Sequence, residues 1–107
     1  MDSIRQKALK ARVESLNKGV DSILKAIYRP DTSASLLQPD GWYDYAVLGT
    51  TQEEFFKVSR KVSSMLDGVT PLTEKSIKQA ETKMQKFEQA LWKNGSVETR
   101  GKYLEAR

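Results

Sequence analysis

Leu9, Val13, Leu16, Val20, Ile23 and Ile27 recur at alternating spacings of four and three, which lays one apolar stripe along a long helix. Ser3 and Gln6 have capping-box spacing before it, and Pro30 forbids easy continuation. The spacing therefore predicts helix 1 over residues 3–29, about 40 Å long at 1.5 Å per residue. Further on, Thr51 stands three residues before Glu54, and Phe55, Val58, Val62 and Met65 share one face until Asp67-Gly68 stops the pattern, predicting helix 2 over 51–67. Thr70 as N-cap and Pro71 as first helical residue open helix 3, whose stripe is Ile77, Ala80, Met84, Phe87 and Leu91 before Asn94-Gly95, giving 71–93.

The remainder is punctuation. Residues 30–50 form a linker with Pro30 and Pro39, a Thr-Ser-Ala-Ser stretch and an Asp40-Gly41 turn, with Leu36 and Leu37 placed to pin it to the core. Tyr43 to Leu48 is its one arguable strand. The tail 95–107 reads as a short helix burying Tyr103 and Leu104, although Gly101 in its middle costs about 1 kcal/mol relative to Ala. The expected fold is all-α: one domain over 1–107, a small antiparallel bundle of three long helices plus a short C-terminal helix or tail.

The helix 1 stripe has two readings. With Val13, Val20 and Ile27 at one seam position and Leu9, Leu16 and Ile23 at the other, it matches a parallel two-stranded coiled coil, which makes helix 1 a dimer interface. Against that, the stripe packs inside its own chain on helices 2 and 3, a reading favoured by its short run of heptads and by Gly19 at a flanking position. The predicted length excess of helix 1 over helix 2, about 15 Å, leaves one end of the stripe for a partner to cover.

Composition narrows the chemistry. The chain has neither cysteine nor histidine, so thiolate nucleophiles, disulfides, Cys-based zinc sites and imidazole general bases are all missing. Glu53 and Glu54 sit in a first helical turn, where the macrodipole and capping explain them, and Asp40 with Asp44 supplies too few oxygens for calcium. No enzyme, cofactor, metal or small-molecule substrate is expected. No apolar run nears the roughly 18 residues of a membrane span and there is no secretory h-region, so a soluble intracellular protein, cytoplasmic by default, is the expectation. Asp2, Glu14 and the continuing heptad set the basic N-terminal segment apart from an organellar presequence. Asn94-Gly95-Ser96 matches a glycosylation sequon but reads as a helix stop.

Charge and aromatic content supply the partner candidates. Residues 1–29 carry seven basic against three acidic side chains, and residues 71–93 five against three. Arg5, Lys7, Lys10 and Arg12 on helix 1 and Lys75, Lys78 and Lys86 on helix 3 could merge into a stripe neutralising phosphates, with Trp92 beside Lys93 able to stack on a base. Interspersed Glu14, Glu74, Glu81 and Glu88 fit an ordinary solvated face instead. Trp42, Tyr43 and Tyr45 place three of the nine aromatics within four positions. That cluster suits either a protein-binding surface or a plug in which Trp42, Tyr45, Val47 and Leu48 close the end of the bundle. The function expected is a small interaction or assembly protein with a protein partner or a homo-oligomer, through Val13, Val20, Ile27 and the aromatic loop. The alternative is nucleic-acid binding through the basic faces.

Overall fold

A computed structural model describes residues 2–30 and 41–106, without the side chains of Asp2 and Pro30. Along the chain run α1 (Asp2–Ile27), β1 (Tyr28–Pro30), β2 (Gly41–Tyr43), a 3₁₀ turn (Tyr45–Leu48), α2 (Gln52–Leu66), α3 (Glu74–Asn94) and α4 (Val97–Ala106). The all-α bundle is the fold observed. Leu36, Leu37, Pro39 and Asp40 lie outside the described residues.

All six stripe residues of α1 are buried, and they meet the stripes of α2 and α3 in one apolar core. Contacts fix the directions. Arg12 reaches Glu74 and Glu81, and Gly19 backs onto Met84, so α1 and α3 run the same way. Phe55 meets Phe87 while Lys61 reaches Gln79, so α2 runs against α3. α4 packs on α1, and its buried Tyr103 also meets Trp92 of α3 edge-on. Among the described residues, Ser22 is the one polar side chain buried along α1, and it donates its hydroxyl to the Lys18 carbonyl, so it brings no unmet group into the core.

Helix ends follow local chemistry, with three departures from the sequence reading. α2 starts as expected, with Thr51 Oγ1 accepting from the Glu54 N–H at 3.2 Å. Its end is a Schellman arrangement: Gly68 takes φ +80°, the Val69 N–H donates to the Ser64 carbonyl at 2.9 Å and the Gly68 N–H to that of Met65. That closure also engages the Thr70 N–H with Ser64, and Leu72 then packs against the core before any helix begins. The N-cap of α3 is accordingly Thr73, accepting from the Ser76 N–H at 3.1 Å, and not Thr70.

At the other end of the chain, Asp2 is already helical, so Ser3 lies inside the first turn and not at the N-cap position. α1 stops at Ile27, two residues before the expected Arg29. Pro30 disfavours helical backbone at Arg29, and the returning chain offers a better partner. The Asp44 N–H donates to the Ile27 carbonyl at 2.9 Å, and β1 pairs antiparallel with β2 in the register Tyr28 to Tyr43 and Arg29 to Trp42. The strand thus lies at Gly41–Tyr43, and Tyr45–Leu48 is a 3₁₀ turn.

Candidate protein-interaction surface

The strand pair and the turn after it bring aromatic rings together at one corner of the bundle. Strand residues face alternate sides, so Tyr43 turns to one face of the ladder and Trp42 to the other. On Tyr43's face the rings make a chain from core to surface. Phe87 and Phe55 have centroids 5.3 Å apart, Phe55 and Tyr45 5.7 Å, Tyr45 and Tyr43 6.1 Å, and Tyr43 and Tyr28 5.3 Å. Phe56 adds an edge-on contact to Tyr45 at 6.3 Å. These tilted and edge-on geometries are the favoured ones for ring pairs. Phe55 and Phe87 are buried, Tyr28 and Tyr45 half-buried, and Tyr43 and Phe56 keep 44% and 39% of their surface exposed. A shallow groove of about 400 Å³ continues the corner along α1, lined by Asp21, Leu24 and Lys25 together with Tyr28 and Tyr43. Burial, and secondarily the neighbouring Tyr43, raises the pKa of Tyr45 above its ordinary value, so its phenol stays a neutral donor in the physiological range.

The expected aromatic cluster is therefore divided. Tyr45, Val47 and Leu48 do act as a plug against the core, whereas Trp42 does not: it remains 55% exposed on the opposite face of the ladder. Tyr43 joins rings that the sequence reading left out, Tyr28 and Phe56. Both had a signal. Tyr28 follows the last stripe residue directly, and Phe56 follows Phe55, of which only one can face the core of an amphipathic helix.

Val13, Val20 and Ile27 sit in the core at 0%, 4% and 0% exposure, so the seam expected to serve a partner is spent inside the chain. Helices α2, α3 and α4 all pack on α1, and its described stripe residues are buried in the shared core, leaving no described part of the seam for a second copy.

The basic candidates separate as well. Arg5, Lys7 and Lys10 are exposed on the first turns of α1. Arg12 is not available to phosphate: it donates to both Glu74 oxygens at 2.7 and 2.8 Å and to Glu81 at 2.6 Å. These hydrogen bonds, Glu81's first, stabilise its charged form, and the bond from Arg12 pulls the Glu74 carboxyl below the usual range. The α1–α3 boundary is thus stitched by opposite charges and carries no merged basic stripe. Lys75 and Lys78 instead line a groove of about 750 Å³ between α3 and α2, and Lys86 a smaller neighbouring one beside Leu48 and Phe87. Trp92 is 45% exposed, but its ring already meets Tyr103 edge-on and lies 5.9 Å under the Arg100 guanidinium.

Among the described residues no three His, Cys, Asp or Glu side chains gather as a metal site, and no helix is long and apolar enough to cross a membrane. No family model, curated protein or solved structure compared with the chain matches it.

Proposed function

We propose that this domain is a non-catalytic interaction module that binds a protein partner through its aromatic corner. The supporting observation is the continuous chain of rings from Phe87 in the core to Tyr43 and Phe56 at the surface. Rings braced from beneath lose little freedom on binding, and tyrosines with an apolar body and a polar tip dominate binding energy at interfaces. The flanking Asp21 and Lys25 supply a polar rim of both signs around Leu24 and Tyr28. The core seam is not needed for this role, since the domain completes its own bundle.

The test pairs a Tyr43→Ser/Phe56→Ser variant with the unmodified chain. Both are followed by sedimentation velocity over a wide concentration range, and both serve as baits for binding partners, which are then purified and titrated. The expected result is a defined complex, with a second copy or a purified partner, that the double variant weakens about tenfold or more while its far-UV circular dichroism stays unchanged. An affinity unchanged by the double substitution would sink the assignment of this corner.

A further inference from the structure

The groove between α2 and α3 has a property that its position alone does not require. Its walls carry Lys57 and Lys61 from α2 and Lys75, Lys78 and Lys83 from α3, against a single acid, Glu54. The chain as a whole has eighteen basic and fourteen acidic side chains; with the groove's five lysines and one glutamate set aside, thirteen of each remain. The groove's walls thus carry a local excess of four positive charges, equal to the net charge of the whole chain. Lys57 is paired with Glu54 and Lys61 donates to Gln79 across the groove. Among the described residues no hydrogen bond or ion pair engages the ammonium groups of Lys75, Lys78 and Lys83, although the charge of Lys78 is felt by Glu74 on the same helix.

Beneath the lysines the floor is aliphatic, formed by Val58 and Ala80, and the lysine stems extend that apolar lining while their ammonium groups reach solvent. We infer that this groove docks an acidic amphipathic helix of a protein partner. A helix lying between two helices seats its apolar ridge in their groove. Its carboxylates then fall on either side, against lysines from both walls. From Lys75 to Lys83 the α3 wall spans about 12 Å, enough for two turns of such a helix. A nucleic acid fits these observations less well. Among the described residues no arginine lines the groove to grip phosphate bidentately, and a phosphate backbone gains nothing from an aliphatic floor.

This inference does not rest on the aromatic corner, and the experiment separates the two. The probe is a fluorescein-labelled 18-residue peptide with Leu at positions i, i+3, i+4 and i+7 and Glu on both flanks. Its controls are the same composition scrambled and a labelled DNA duplex. Anisotropy is read at about 50 and 150 mM salt with the unmodified protein, with Lys57→Glu/Lys78→Glu, and with Tyr43→Ser/Phe56→Ser, each checked by circular dichroism. The amphipathic peptide is expected to bind at least about tenfold more tightly than the scrambled one, and the lysine reversal is expected to weaken it by about tenfold or more. The aromatic variant should bind it unchanged. Equal affinity for the scrambled peptide, tighter binding of the duplex, or no peptide binding at the lower salt overturns the inference. So does peptide binding lost in the aromatic variant, which would put the peptide on the other surface.

Discussion

Arg29 adds polar ties between the end of α1, α4 and Asp44, and removing it tests that role. Its guanidinium lies where α1 gives way to β1. One nitrogen donates to the Ala26 carbonyl at 3.0 Å, an orphan acceptor in the last turn of α1. The other donates to Thr99 Oγ1 on α4 at 2.9 Å and stands 3.8 Å from Asp44. Thr99 is buried, and Arg29 and Asp44 are about three-quarters buried. A hydrogen bond from a charged donor in such a setting contributes about 1.5–3 kcal/mol, while the Asp44 pair, too long for a direct hydrogen bond, adds less than about 1 kcal/mol. Arg29→Met keeps the aliphatic stem and removes these contacts together with a longer one to the Tyr28 carbonyl at 3.4 Å, so the expected loss is about 2–4 kcal/mol. Thr99 retains the hydrogen bond from Ser96, which keeps the loss from being larger. Thr99→Val removes only the α4 acceptor, and about 1 kcal/mol or more of coupling is expected between the two substitutions. Urea unfolding of the four proteins, followed by far-UV circular dichroism, measures this. With a urea slope of about 1–3 kcal/mol/M the midpoint of Arg29→Met should fall by about 1 M or more. If that variant stays within about 0.5 kcal/mol of the unmodified protein, or if the double-mutant cycle shows no coupling, the junction does not hold α4 in place.

Two glycines give opposite expectations for the same substitution. At Gly41 an added Cβ would lie 2.6 Å from the Arg29 carbonyl oxygen and clash with the Tyr28 ring, so Gly41→Ala should cost about 1–3 kcal/mol and disturb the near-UV tyrosine signal as the ladder opens. At Gly101, inside α4, the same atom meets open space, so Gly101→Ala should add about 0.5–1 kcal/mol, seen as a higher thermal midpoint. A fall for Gly101→Ala, or no change for Gly41→Ala, would contradict the packing described. The Arg12 contacts predict a pH effect. Glu74's carboxyl titrates below its unfolded value, so the stabilisation it supplies is complete above the unfolded pKa of about 4.3 and disappears as the pH falls through the lower folded value. The gap in urea midpoint between the unmodified protein and Arg12→Gln should therefore narrow as the pH is lowered from about 5 to about 2. A constant gap would show that the hydrogen bond does not control the titration.

The helices were readable because each stripe obeys the helical period and each needs a matching face. That same logic decided where Val13, Val20 and Ile27 would go once α2 and α3 had supplied stripes of their own. What escaped the pattern was pairwise and non-local. The β1–β2 ladder has three residues per strand, too short to show a period of two, and its partners are separated by the linker. The end of α1 depended on that ladder as well as on Pro30, because the returning Asp44 N–H takes up the Ile27 carbonyl. The start of α3 was missed because Thr70 and Thr73 are both acceptable N-caps. The choice went to Thr73 because the Schellman closure at Gly68 already holds the residues before it.

The arrangement of charge was not legible in the sequence for a related reason. A sum over helices treats every lysine and arginine as free, and the bundle sorts them by what stands opposite. Arg12, the most promising phosphate ligand by chemistry, faces Glu74 and Glu81, while α2, which balances in sequence at three basic and three acidic side chains over 51–67, turns Lys57 and Lys61 toward the lysines of α3. Residues four apart on one helix can be assigned a common face from the sequence alone. Whether that face meets its complement or its like depends on which side of the neighbouring helix it finds. In this bundle, complementary charges were used to close the α1–α3 boundary and like charges were left facing each other across the α2–α3 groove. On the inference drawn for this groove, the unfavourable pairing is the one suited to a partner, because like charges set side by side over an aliphatic floor would be relieved if an acidic chain entered between them.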